Sequence, residues 1–293
     1  MRVRGAPVAA VVTVLMAAAL FGLRPARAAF TIHKVDSARF TVAPDEPFFV
    51  LVMGNDGRPG DTITRGDALH LIGVNPSQGR ATILDIPRDT YVDIPGRGRD
   101  KINAAHASGG AALQARAVGA LVGVEVPFVL DTDFEGFMGM VDEMGGVDVD
   151  VPFPMNDRFS GAFFPAGRVH MDGFGALAFA RNRNISGGDI RRTENQGLLI
   201  LAGLAKLRTE NPSGPDLLRH VAVLARHARF EGATLRDLYR LARVALSLDP
   251  QNVRHVVMPG AGGRAGAASV VFVGSGAGAL FADLRDDAVL QSH

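Results

Sequence analysis

The chain has 293 residues, 47% of them hydrophobic and 21% charged, with no cysteine and a formal net charge of +1. That length is ample for a core. The missing cysteine excludes disulfides, thiolate nucleophiles and cysteine-ligated zinc, and a near-neutral chain without a basic run does not carry the electrostatic footprint of a nucleic-acid binder.

Met1-Arg2-Val3-Arg4 is basic, Val8 to Leu23 is mostly apolar, and Ala26-Arg27-Ala28 is an A-x-A pattern. Residues 1–28 therefore read as an export signal or as an N-terminal membrane anchor, the apolar run being short for a bilayer span. Both readings put residues 29–293 outside the cytoplasm as a single domain. Removal of residues 1–28, with four arginines and no acid, takes the net charge from +1 to −3. The remaining arginines must then act locally rather than as a general field.

Phe48 to Met53 is a continuous apolar run closed by Gly54, as in a strand covered on both faces. Leu69–Val74 and Ala81–Ile86 are two more, and the turn residues Asn75 to Gly79 between them predict a hairpin. Ala111 to Val122 has helical spacing and stops at Gly123. Pro127 to Leu130 predicts a strand, and Asp133 an N-cap for a helix from Phe134 to Met144. Val147 to Val151 alternates like a half-exposed strand. Helices are predicted over Gly197–Leu207, 213–229, 234–248 and Leu280–Leu290, the third opened by a capping-box-like Thr234-x-x-Asp237. Val253–Met258 and Ser269–Val273 are late strands. Phe128, Phe134, Phe137, Phe153, Phe163 and Phe164 read as core, a minority of them as possible lining of a lipid channel. Interleaved strands and helices without a linker predict one α/β domain with helices on both sides of a mixed sheet.

The densest chemistry lies in Arg181 to Gln196, which holds Arg181, Arg183, Arg191, Arg192 and Asp189. Arginine's planar fork matches phosphate oxygens in pairs. Arg181 and Arg183 would share a side of an extended segment, and Arg192 and Gln196 a face of a helix. A clamp for a pyrophosphate is the functional reading, and a solvated arginine-rich loop the alternative. Asp56 follows the first apolar strand and Asp67 precedes the second, beside Arg65. Two carboxylates at one sheet edge suit a Mg²⁺ that bridges substrate phosphates, although aspartate is also a common turn residue. Ile86-Pro87-Arg88-Asp89-Thr90 ends the third strand at its rim, and Lys101 and Asn103 are expected to open the following helix, where free amides favour an anion.

Five spaced segments occur in one order: Ile86-Pro-Arg-Asp-Thr90, Asp100-Lys-Ile-Asn-Ala104, Asp133-Phe-x-Gly-Phe137, Asp142-x-x-Gly-Gly-Val147 and Pro165-Ala-Gly-Arg-x-His-x-Asp-Gly173. They lead into Ala176-Leu-Ala-Phe-Ala-Arg-x-Arg183. The series resembles the LytR-CpsA-Psr family of cell-envelope glycopolymer transferases, most tightly over about residues 48–209. The resemblance implies a three-layer αβα sandwich with a mixed central sheet and an apolar pocket for a polyprenyl chain. It implies transfer of a glycopolymer from an undecaprenyl-pyrophosphate carrier to a peptidoglycan sugar hydroxyl at the membrane surface. The residues that match its pyrophosphate site are Arg65, Arg88, Lys101, Asn103, Arg181, Arg183, Arg192 and Gln196. Asp56 and Asp67 match its Mg²⁺ (or Mn²⁺) aspartates, and Asp189 is a polar neighbour. Arg88, Arg181 and Arg183 would carry catalysis, with Asp89 or Asp189 taking the acceptor's proton. Departures are Asn55 and Gly57 around the first aspartate, Gly66 beside the second, and Phe174-Gly175. A non-catalytic envelope protein that holds polyprenyl phosphate or glycan is the alternative from another class, and a transcriptional regulator fits less well.

Overall fold

The apolar runs form the middle of a seven-stranded sheet in the computed structural model, which describes residues 30–35, 45–57, 61, 64–184, 187–209 and 228–291. The export or anchor segment 1–28 and nearly all of the helix predicted over 213–229 lie outside the described residues.

In chain order the elements begin with β1 Phe30–Lys34, β2 Phe48–Asn55, β3 Gly66–Asn75, β4 Arg80–Asp85, β5 Tyr91–Ile94 and β6 Gly98–Lys101. Helix α1 Ala104–Val122, β7 Phe128–Thr132, α2 Phe134–Glu143, β8 Val147–Val151, β9 Met155–Asp157, β10 Ala162–Phe164 and β11 Gly167–Met171 follow. The chain continues through α3 Gly173–Arg181, α4 Gly188–Thr209, β12 Ala228–Glu231, α5 Leu235–Ser247, β13 Val253–Val257, β14 Gly260–Ala265, β15 Ala268–Val273 and α6 Ala277–Asp287. The main sheet has the order β12-β1-β7-β2-β3-β4-β13. β2 pairs parallel to β7 and antiparallel to β3, and β13 pairs parallel to β4.

Period-two geometry divides each central strand between two layers. Leu51 and Met53 of β2, Leu69 and Leu71 of β3, and Leu84 of β4 pack with α1 and α6 on one face. Phe48, Val50 and Val52, Ile72 and Val74, and Ala81 and Ile83 look the other way, into a cavity roofed by α2, α4 and α5. The three-layer αβα sandwich follows directly from this alternation.

Local predictions hold where turn chemistry is strong. Val74 pairs with Ala81 across the expected hairpin, whose Gly79 has φ 61° and donates to Pro76 O. Asp133 caps α2 by accepting from Gly136 N at 2.8 Å, and Thr234 with Asp237 forms a full capping box. Three predictions need correction. The last helix spans Ala277–Asp287 rather than Leu280–Leu290, because Ala288 turns left-handed at φ 67° and ends it. Ala228 and Arg229 begin β12 beside β1 instead of ending a helix. Phe163, expected in the core, is 59% exposed on β10 because its strand neighbour Ala162 takes the inward position.

Candidate functional site

The site forms where the C-terminal end of β2 meets the start of β3. Asn55 pairs with Gly66 across a register shift, so Asp56 and Asp67 flank the last rung of the hairpin. Asp56 is fixed twice to Arg65: its own N–H donates to Arg65 O at 3.2 Å, and its Oδ1 accepts Arg65 N–H at 2.7 Å. Both acids line the mouth of the cavity.

Pro87 ends β4 in a turn in which Thr90 N–H donates to Pro87 O, and this turn sends Arg88 across to Asp67. Arg88 Nη1 donates to Asp67 Oδ2, while Asn103 Nδ2 donates to Oδ1 at 3.3 Å. From the other side comes the first turn of α4. Asp189 accepts Arg192 Nη2 at 3.1 Å and lies 3.6 Å from Arg183 Nε and 3.9 Å from Arg88 Nε. Two carboxylates thus alternate with three guanidinium groups.

Arg192 is the most buried of these cations, at 4% exposed. Burial lowers its pKa to about 10; Arg88 and Arg183 push the same way, against the attraction of Asp189 and Asp67. Arg88 Nε, Arg192 Nε and Gln196 Oε1 are buried without a hydrogen-bond partner. Unpaired donors on buried cations are costly, and an anion is the partner that suits them.

The predicted site residues fall into two groups. Asp56, Asp67, Arg181, Arg183, Arg192 and Gln196 all line the cavity mouth. Arg88, Asn103 and Asp189 stand behind them through the contacts above. Arg181 differs from the extended arrangement expected: it is the last residue of α3, with its guanidinium 5.3 Å from the Phe134 ring centroid. Lys101 is also corrected, since it lies on β6 rather than at a helix start. Its Nζ sits 3.0 Å from Asp89 Oδ1, and neither residue lines the cavity. Arg65 has an exposed side chain and contributes its backbone to Asp56.

Two polar clusters escaped the sequence reading. Asp85 is fully buried and accepts from His70 Nδ1 at 2.6 Å and from His255 Nε2 at 2.5 Å. Burial pulls the His255 pKa down, but the hydrogen bond and charge of Asp85 outweigh it and the net shift is upward. Gly197 of α4 sits directly on this trio: a Cβ there would lie 2.1 Å from His255 Nε2 and 2.6 Å from Asp85 Oδ2. Glycine at this position therefore lets α4 descend far enough to bring Arg192 and Gln196 to the mouth. The second cluster is Asp131, which accepts Asn55 Nδ2 at 2.7 Å and lies 3.4 Å from His106 Nε2. Its burial opposes ionisation, yet bonds from His106, His33 and Asn55 hold its pKa down at about 2. A histidine or aspartate inside an otherwise apolar strand, as in Leu69-His70-Leu71 and Leu84-Asp85-Ile86, was the available signal.

Beyond the mouth the cavity is apolar and encloses about 790 Å³. Phe134, Phe137, Met140, Leu199, Ile200 and Leu204 line it opposite the sheet. An elongated hydrocarbon fits such a space, with its charged end among the arginines. The aspartate pair also suits a hard divalent cation: each carboxylate offers oxygens beyond the hydrogen bonds it accepts, and a phosphate and water would complete an oxygen shell. Among the described residues no group of three or more His, Asp or Glu side chains is placed to hold a metal ion.

A transferase from Bacillus mycoides (strain KBAB4), named polyisoprenyl-teichoic acid–peptidoglycan teichoic acid transferase TagU, is 37% identical over 169 residues, 56% of this chain and 54% of that protein. The chain spans about half the length of the curated relatives it matches. The crystal structure of Bacillus subtilis TagV superposes with a TM-score of 0.72 at 22% identity, covering 85% of this chain and all of that one. YwtF (TagT), solved with bound octaprenyl pyrophosphate lipid, superposes at 0.65 and 22% identity over 88% of this chain and 97% of its own. Those two likenesses establish the shared fold. The LytR_cpsA_psr family profile matches residues 24–279, encompassing the sheet, the cavity and every residue at its mouth, and the chain belongs to that family.

Proposed function

We propose that this protein is an extracytoplasmic phosphotransferase that moves a glycopolymer from a polyprenyl-pyrophosphate carrier to a sugar hydroxyl of peptidoglycan. The observation that carries the reading is the junction itself: buried guanidinium donors without partners at the mouth of a long apolar cavity. A hydrocarbon tail and a diphosphate head are the two halves of one ligand that satisfies both. The resemblance to named teichoic acid transferases supports the same reaction class.

In the proposed reaction the acceptor hydroxyl attacks the phosphorus attached to the polymer. A new P–O bond forms, the bond to the bridging oxygen breaks, and polyprenyl phosphate leaves with that oxygen. Arg88, Arg183 and Arg192 would stabilise charge gathering on the leaving phosphate, which is the main demand of phosphoryl transfer. Arg181 would hold the outer phosphate at the rim. Asp189 is favoured over Asp89 as acceptor of the hydroxyl proton, because it stands among Arg88, Arg183 and Arg192 whereas Asp89 is tied to Lys101. Asp56 and Asp67 would hold Mg²⁺ or Mn²⁺, which supplies Lewis-acid neutralisation of phosphate charge when bound.

The test is transfer by the purified full chain, using a lipid-linked glycopolymer and a peptidoglycan oligomer with and without Mg²⁺. Release of polyprenyl phosphate with phosphodiester formation is expected, and Arg88→Ala or Arg183→Ala should reduce it by about two to three orders of magnitude. Unchanged turnover by both variants refutes the arginine clamp.

A further inference from the structure

The three most exposed large hydrophobic side chains among the described residues are Phe159 at 83%, Phe174 at 66% and Phe163 at 59%. They are neighbours. Phe159 sits in the turn joining β9 to β10, Phe163 lies on β10, and Phe174 opens α3, its ring within 3.4–3.6 Å of where a Gly161 Cβ would be. This hairpin is fastened to the arginine segment, since Asn184 Nδ2 donates to Asn156 O at 3.2 Å. Phe159 itself lines the cavity mouth. Arg158 stacks its guanidinium 5.3 Å from the Phe159 ring centroid, so a cation borders the aromatic surface.

Chain direction adds a second, independent observation. Phe30 of β1 pairs with Thr132, at the same end of the sheet as Gly54, where β2 delivers Asp56. Phe30 therefore lies at the end of the sheet that bears the cavity mouth. Leu235 lies at the opposite end, three residues past Gly232, which bridges His33 far along β1.

We propose that Phe159, Phe163 and Phe174 insert into the outer face of a phospholipid bilayer, with Arg158 among anionic headgroups, and dock the cavity mouth on the membrane. Clustered exposed aromatics beside a cation have the chemistry of an interfacial anchor, whose apolar side chains sit roughly 5–10 Å into the headgroup–acyl boundary. The functional consequence rests on the reading of the cavity as a lipid-tail site: docking lets the tail pass between bilayer and cavity without crossing water.

The chain contains no tryptophan, so one introduced indole reports alone. The full chain carrying Phe163→Trp, and separately Leu235→Trp, is reconstituted with phosphatidylglycerol–phosphatidylcholine vesicles containing brominated acyl chains. The indole at 163 is expected to shift to the blue and to be quenched several-fold more than the indole at 235. Equal quenching at both positions, or no quenching at 163 in chain that floats with the vesicles, overturns the proposal. A concentration-dependent blue shift without vesicles overturns it in favour of self-association.

In a second measurement, Phe163→Ser/Phe174→Ser should lower transfer from a long-chain carrier in vesicles roughly ten-fold. Transfer from a short, water-soluble analogue should stay unchanged; equal loss on both carriers overturns the docking role. Should the wild type transfer from neither carrier, the proposed activity fails while the quenching comparison still decides the docking.

Discussion

Replacing Arg192 with methionine separates what the arginine cluster does for folding from what it does for binding. A guanidinium that is 4% exposed and whose pKa burial has lowered to about 10 is disfavoured in its charged form. At ~1.36 kcal/mol per pH unit, this amounts to roughly 3 kcal/mol of penalty on the folded state. The sign follows from the direction. A base whose folded pKa is depressed carries its penalty at every pH below the folded value, and the penalty is relieved only as pH rises through about 10 toward the ordinary arginine value. At neutral pH it is therefore fully present. Methionine removes the charge and keeps most of the volume, while Asp189 retains Arg183 at 3.6 Å and Arg88 at 3.9 Å. Replacement of buried ions by apolar side chains is often neutral or stabilising by about 1–4 kcal/mol. Thermal denaturation should show Arg192→Met melting several degrees higher, at ~2–4 °C per kcal/mol for a chain of this size. The same melts repeated with inorganic pyrophosphate should show a ligand-dependent rise for the wild type and little for the variant. A variant that melts clearly lower and still responds fully to pyrophosphate would refute the view that the cluster is strained until an anion arrives.

Three further outcomes are expected. Gly203 lines the cavity on α4, and a Cβ built there meets nothing within 4 Å; Gly203→Leu should raise Tm by filling space and improving helix propensity by roughly 1 kcal/mol, yet block long-chain carriers in a transfer assay. Gly197→Ala should cost several kcal/mol, because its methyl would overlap His255 and Asp85 in a packed interior, and denaturant unfolding measures it. Asp131, with its pKa lowered from 3.8 to about 2, adds stability above pH ~4 that disappears as pH falls through 2, about 2 kcal/mol in all; Asp131→Asn should flatten that acid limb in melts between pH 7 and pH 2. The His106 pKa is raised, burial being outweighed by the bonds and charge of Asp131, so its share is present at low pH and lost as pH rises through the folded value.

Central elements were legible because several constraints agree at each. β2, β3 and β4 are apolar on both faces, and their turn residues and caps leave little choice of boundary. The outer strand β12 and its neighbour β1, Ala-Arg-Phe-Glu and Phe-Thr-Ile-His-Lys, were missed because these short, half-exposed strands carry too few apolar residues to stand out. At the site, the arginines and the acid pair were found by charge. Their separation into lining residues and supports depends on side-chain direction at Pro87, at the end of α3 and in the first turn of α4, which spacing does not encode. Asp85 with its two histidines joins strands far apart in sequence, and no local pattern connects His70 with His255.

Helix α4 carries Arg192 and Gln196 near its start, and Leu199, Ile200, Leu204 and Leu207 along the same cavity beyond them. From Arg192 to Leu207 the axis advances roughly 22 Å at 1.5 Å per residue, more than the ~15 Å depth of one bilayer leaflet. On the proposed reading this helix is a measuring rod. A tail laid along it exchanges one hydrocarbon surrounding for another of comparable depth, so drawing the carrier out of the leaflet carries little hydrophobic penalty, and discrimination by tail length falls to the residues at the far end of the rod.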